Sequence, residues 1–227
     1  MSSAAEQIAG GATVAVLPIG SFEQHGPYLP LATDTVIAAT LAREIAAAYA
    51  VQRLPPITIS CSHEHAAWPA TVSISATTLY AMVRDVSDSL HHSGISTLVL
   101  VNGHGGNYVL GNAVQEAGLR GRRLALFPGE ADWAAARAAA GLESAAVTDM
   151  HAGELETSIL LHAHPDLVRP GYAAGDERAD DRRHLLTRGL AGYTTSGVVG
   201  QPSLASARKG RDVLASLVAS FAEYAHL

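Results

Sequence analysis

Short apolar runs alternate with longer stretches of helical periodicity along this chain. Residues 13–19, TVAVLPI, form a continuous apolar run that ends at Gly20 and predicts a buried strand. Pro18, lacking a ladder donor, predicts that pairing stops near the end of that strand. Residues 34–50 have helical composition, with Thr33 or Asp34 available as a cap. Residues 57–61 are a second short strand candidate. From Leu79 the apolar positions Met82, Val83, Val86 and Leu90 recur at helical spacing, with Thr77 or Thr78 before them and Gly94 after. That pattern predicts an amphipathic helix.

Residues 96–103, STLVLVNG, are the clearest buried strand, and they run into a glycine-rich turn. A helix over 107–118, a strand over 123–127 and a helix over 131–140 follow. A motif-bearing segment spans 149–164, and a polar loop runs from about 171 to 195. The chain closes on a helix whose Val213, Leu214, Leu217, Val218 and Phe221 share one face. Strands alternating with helices predict an α/β fold, a three-layer α/β/α sandwich around a mostly parallel sheet. No repeat or linker divides the sequence, so residues 1–227 are expected to form one domain.

Composition narrows the function classes. Of 227 residues, 48% are hydrophobic and only 16% charged, which suits helices packed closely on a sheet and argues against disorder. The net charge of −6 gives no reason to expect nucleic-acid binding. Arg182 and Arg183, preceded by Asp180 and Asp181, read as a solvated loop. The single cysteine, Cys61, has no partner for an internal disulfide and is expected to be buried and inert. The opening MSSAAEQIAGG lacks a signal-peptide pattern, and no apolar run reaches the roughly 18–20 residues of a membrane span. A soluble, cytoplasmic protein without a membrane partner is expected.

Candidate chemistry gathers in four places. In SFEQHGPYLPLATD, residues 21–34, Glu23 and His25 point the same way if the chain is extended, and the prolines can return Asp34 to them. Such a set suits Zn²⁺, Mn²⁺ or Fe²⁺, although Asp34 could equally cap a helix. In NGHGGN, residues 102–107, His104 falls at the carboxyl end of a strand, where open α/β sheets bind ligands. This turn could instead cradle a phosphate, but it matches neither the dinucleotide fingerprint nor the P-loop. In HAGELETS, residues 151–158, Glu154 and Glu156 lie beside His151 at a helix start, which the helix dipole favours in any case. Asp149 reads as a ligand, an orienting partner for His151 or a turn residue. His63-Glu64-His65 with Trp68-Pro69-Ala70-Thr71 could line a pocket or form a surface loop.

Together these segments resemble the creatininase family, creatinine amidohydrolase and its relatives. The matching pieces are Gly20 through Pro27, Leu29-Pro30, Thr33-Asp34, Glu64-His65 with its Trp-Pro-Ala-Thr stretch, and Asn102 through Asn107. His151-Ala152-Gly153, Glu156-Thr157-Ser158, Gly197 through Gly200, Pro202 and Lys209-Gly210-Arg211 complete the match, in the family's order. The resemblance implies a homohexamer and two divalent cations. Glu23 and His104 would hold one cation, His25 and Glu156 the other, and Asp34 would bridge them. His151 matches the general acid/base of the family, and Glu154 is left for a catalytic or orienting role. Ser62, Glu64, His65, Trp68, Gly105 and Gly106 are expected to meet substrate. Creatinine-hydrolysing members carry a glutamate where this chain has Gly106, which weakens creatinine as the substrate.

The implied activity is hydrolysis of a C–N amide bond, cyclic as in creatinine or in a related small amide. Alternatives within the family are a mycofactocin-system type of peptidase acting on a short peptide and a formamide deformylase, since such relatives also carry NGHGGN. A metal-stabilised assembly protein without catalysis and a nucleotide-binding domain are the rival classes.

Overall fold

A computed structural model describes residues 11–227. Four parallel strands, β1 (Val14–Ile19), β2 (Gln52–Arg53), β3 (Thr97–Asn102) and β4 (Arg123–Phe127), hydrogen-bond in the order β2-β1-β3-β4. The α-helices of the described residues are α1 (Thr33–Ala48), α2 (Ala76–His92), α3 (Val109–Leu119), α4 (Glu130–Ala140), α5 (Glu154–Ala163), the short α6 (Leu185–Arg188) and α7 (Ala207–Ser220). Side chains alternate across each strand, so the central strands feed two separate cores. Val14, Val16, Val99 and Val101 pack with α1, α4, α5 and α7. Ala15, Leu17, Leu98 and Leu100 pack with α2 and α3. The expected three-layer α/β/α arrangement is therefore present, and β3, covered on both faces, explains its unbroken apolar run.

Several boundaries differ from expectation for identifiable reasons. β1 continues through Pro18, which pairs with Val101, and on to Ile19 beside Asn102. The carbonyls of Val16 and Pro18 face the β2 side, accepting from Leu54 and Ile57, whereas Ile19 accepts from Gly103 on the β3 side. The missing proline donor thus falls where the ladder is already thin, and pairing with β3 loses nothing. Residues 57–61 form no strand beyond one bridge between Ile57 and Ile19, and the two-residue β2 takes the edge. Pro55 and Pro56 withhold donors there, and Ser60 and Cys61 bond instead to Gly20 and the Asn107 side chain.

Ser75, not a threonine, caps α2 by accepting from the Thr78 N–H, and α1 starts after Ala32 without a side-chain cap. The loop at 171–195 contains α6 and short 3₁₀ turns. Cys61 is buried as expected, and Trp133 packs half-buried against the first core.

Close helix contact depends on one glycine of α7. A Cβ at Gly210 would lie 1.9 Å from the carbonyl oxygen of Ser158 on α5. In an open helix interior, alanine in place of glycine stabilises by about 1 kcal/mol. Here Gly210→Ala is expected to destabilise by about 2 kcal/mol, because the two helices must separate. Urea denaturation reads the sign directly, and an unchanged or raised midpoint would contradict this packing.

Candidate metal centre

The carboxyl ends of β1 and β3 meet the first turn of α1. A Cβ at Gly20 would lie 2.2 Å from the Thr35 nitrogen, and one at Gly103 2.5 Å from the Asp34 carbonyl oxygen. Glycine at both positions lets that turn rest directly on the two strand ends. Asp34 is thereby seated between two imidazoles, with Oδ1 3.0 Å from His25 Nε2 and Oδ2 2.9 Å from His104 Nδ1. Ser21 Oγ donates to the same Oδ2 at 2.7 Å. Asp34 belongs to this buried cluster and does not cap α1.

Glu23 lies fully buried beside them. Its Oε1 is 3.2 Å from His65 Nε2 and 3.9 Å from His151 Nδ1, and its Oε2 is 3.2 Å from His104 Nε2. Despite these neighbours neither oxygen makes a hydrogen bond of acceptable geometry. His104 is held by its own turn: the Asn102 side chain donates to the His104 carbonyl at 2.7 Å, and Asn107 donates to Asn102 at 3.0 Å. The two asparagines of NGHGGN therefore brace the loop.

His151 enters from the segment before α5, which bridges to Val199. Its Nε2–H donates to the Gln24 carbonyl at 2.6 Å, leaving Nδ1 toward the cluster. The next residue, Ala152, has a left-handed φ of 52°, rare for a residue with a Cβ. That twist turns its N–H toward Glu156, which accepts it at 2.6 Å. Asp149 is neither ligand nor orienter of His151. It accepts from the N–H groups of Glu154 and Leu155 in the first turn of α5 and pairs with Arg137 at 3.1 Å.

The charges are mutually dependent. Burial would depress His25 and His104, yet adjacent carboxylates, Asp34 and Glu23 foremost, raise them to about 9 and about 10. Burial lifts Glu23 to about 7 and Glu156 to about 8, despite the nearby imidazoles. For Asp34 the same desolvation is outweighed by His25 and His104, which hold it well below the ordinary carboxylate range. Burial, then the positive charge of His104 and His25, lowers His65 to about 3, and burial with His25 and His65 puts His151 well below its usual value.

Protons on His25 and His104 supply the positive charge these carboxylates require. A divalent cation would supply it better, because it can also satisfy the two unpartnered oxygens of Glu23. Three sets of ligand atoms lie close enough for that: Glu23, His25 and His151; Glu23, Asp34 and His104; His25, Asp34 and Glu156. The residues present fit a metal.

The other expected residues divide. His65, Gly105 and Gly106 line a cavity of about 400 Å³ beside the cluster, together with Glu64, His104, His151 and Glu156. Trp68 lies tilted against His65, ring centroids 6.3 Å apart, and does not line the cavity, and Ser62 is buried with an unpartnered hydroxyl. Glu154 is not brought to the cluster, which corrects the expected catalytic role. Its carboxylate is wholly buried, accepting from the Glu143 and Ser144 N–H groups, the Ser144 hydroxyl and, at 2.5 Å, Lys209.

Residues that sequence reading passed over also matter. Gln24 Nε2 donates to His65 Nδ1 at 2.9 Å, which places the proton of a neutral His65 on Nε2, 3.2 Å from Glu23 Oε1. Its signal was its place inside the Glu23-Gln24-His25 motif. Asp180, Asp181 and Arg183 are exposed, as expected of a solvated loop, but Asp180, Arg182 and Leu185 also border the cavity, which nothing local marks.

The Glu154–Lys209 pair anchors the α5 turn that carries Glu156. Burial works against ionised Glu154, and Lys209 with the Ser144 and Glu143 donors more than offsets it, lowering its pKa. Replacing Lys209 with Met is expected to cost about 3 kcal/mol, since the carboxylate keeps only neutral donors. A denaturation midpoint equal to wild type would refute the anchoring role.

Comparison with known proteins identifies the family. A family profile described as creatinine amidohydrolase matches residues 1–225. A mycofactocin precursor peptide peptidase from Mycobacterium ulcerans (strain Agy99) is 36% identical over 216 residues, 89% of this chain and 80% of its own length. A creatinine amidohydrolase from Pseudomonas putida is 25% identical over 181 residues, 71% of this chain and 68% of its own. A manganese creatininase structure superposes with a TM-score of 0.81 at 22% identity, covering 97% of this chain and 92% of that one. The chain belongs to the creatininase family of metal-dependent amidohydrolases, enzymes that hydrolyse carbon–nitrogen bonds.

Proposed function

We propose that this chain hydrolyses an amide bond of a short peptide, using two divalent cations held at the carboxyl ends of β1 and β3. The observation that carries the reading is Glu23, a buried carboxylate with both oxygens unpartnered among four imidazoles. Glu23 and His104 would hold one cation, His25 and Glu156 the other, and Asp34 would be shared between them. Carboxylate and imidazole donors accept Zn²⁺, Mn²⁺ or Fe²⁺. The peptide substrate is supported by the mycofactocin peptide peptidases, which match at 32–36% identity over most of this chain. A second cavity of about 450 Å³ adjoins the first and shares Glu64, Gly106 and Tyr108 with it, leaving room for residues on both sides of a scissile bond.

Bound cations would supply the acidity that makes water nucleophilic near neutral pH and positive charge for the carbonyl oxygen. The chain's own residues do the rest. His151, its Nε2–H committed to the Gln24 carbonyl, keeps Nδ1 free to take up a proton and return it to the departing nitrogen. Burial favours its neutral form, so it starts as a base. The backbone N–H groups of Gly105 and Gly106, in the cavity wall, donate to the oxygen that gains charge. Arg182 and Asp180 at the wall meet the polar ends of the substrate.

Elemental analysis of purified protein, coupled to hydrolysis of an amide panel containing short peptides, formamides and creatinine, tests this reading. Asp34→Ala is expected to lose both metals and all activity. A variant that keeps full metal content and activity would sink the dinuclear scheme, and cleavage of creatinine alone would replace the peptide reading.

Metal loading is also expected to release protons. His25, His104 and Glu156, raised to about 9, 10 and 8, hold protons at pH 7.5 and must lose them before their lone pairs can bind. Affinity should therefore rise with pH between 7 and 9 and fall as the solution is acidified, with more than about one proton released per chain at pH 7.5. Titration calorimetry in two buffers of different ionisation enthalpy measures this; identical heats in both would count against it.

A further inference from the structure

We infer that Glu64 is a further carboxylate ligand of the metal subsite built by Glu23, Asp34 and His104. The inference rests on the dinuclear reading above and names a residue outside it. Glu64 sits on the 3₁₀ turn His63–His65, and its side chain is only 9% exposed. Its one charged neighbour among the described residues is His104, whose Nε2 lies 3.6 Å from Oε1. The same nitrogen lies 3.2 Å from Glu23 Oε2, so both carboxylates approach it from different segments. Burying a carboxylate without a strong donor is costly unless a cation compensates it.

Gly106 supplies the second, independent observation. A Cβ there would lie 2.0 Å from Glu64 Oε1 and 2.4 Å from His104 Nε2. The space a side chain at 106 would fill is already occupied by the Glu64 carboxylate and the His104 ring. Glycine at 106 is thus the condition for Glu64 to reach the cluster. Glu64 also lines both cavities, so its charge faces the volume that the substrate enters. The arrangement brings in from the 63–65 turn a carboxylate that the 102–107 turn does not carry.

Calorimetric titration of metal-free protein with Zn²⁺, paired with elemental analysis, tests the assignment without reference to activity. Wild type is expected to take two equivalents. Glu64→Gln, nearly isosteric, should weaken one of the two by about tenfold or more and leave the other within about twofold. Glu64→Asp should fall between them, and His63→Ala should match wild type. Glu64→Gln binding two equivalents with both constants unchanged overturns the inference while leaving the dinuclear reading intact. Wild type binding fewer than two equivalents overturns both. Should Glu64→Gln not fold by circular dichroism, the folded Glu64→Asp protein decides, and unchanged constants there overturn the assignment.

Discussion

Where β1 gives way to Gly20 and β3 to Gly103, there is no room for a side chain, because the first turn of α1 rests on both strand ends. The positions of the charged groups follow from that contact. A bulkier residue at either site would lift α1, and Asp34 would leave the gap between His25 and His104. The sheet supplies the rest of the rigidity. β1 and β3 are adjacent, parallel and buried on both faces, so the loops leaving their carboxyl ends start from fixed points. Placing ligands on such ends is the usual solution of open α/β sheets.

That framework holds an electrostatic conflict. Glu23 and Asp34 are buried together and Glu156 lies half-buried beside Asp34, with imidazoles as their main counterweights. Two carboxylates respond by rising toward neutrality and two imidazoles by holding protons far above their ordinary range. Burial and these charged neighbours press His65 and His151 toward their neutral forms. The same donors, once relieved of protons, form a binding set for cations. Gln24 has a quiet part in this: its carbonyl and side chain orient two of the imidazoles.

Much of this was legible in the residues. The α/β order and the 14–19 and 97–102 strands follow from unbroken apolar runs; Glu23, His25 and His104 stand out because they follow those runs closely, and Asp34 because the prolines between can return it to them. The failures have physical causes. The 57–61 segment is apolar enough for a strand, but two prolines and side-chain hydrogen bonds take its backbone elsewhere. Glu154 sits in a motif that looks catalytic, and only the tertiary position of Lys209, 55 residues away, reveals it as a packing group. The 180–185 segment is largely exposed, as it reads, but its place beside the cavity is hidden because its neighbours there, Gly105 and Met150, are distant in sequence.

That last segment has a consequence for how such a protein can change. The groups that manage charge hang from strand ends, α1 and α5, whereas Asp180, Arg182 and Leu185 belong to a connection outside the sheet. Under the proposed function these are separable parts. Exchanging one surface connection would then alter which amides are admitted while the balance among Glu23, Asp34 and the imidazoles stays as it is. A scaffold divided in this way can acquire new substrates through drift in its most permissive stretch of chain.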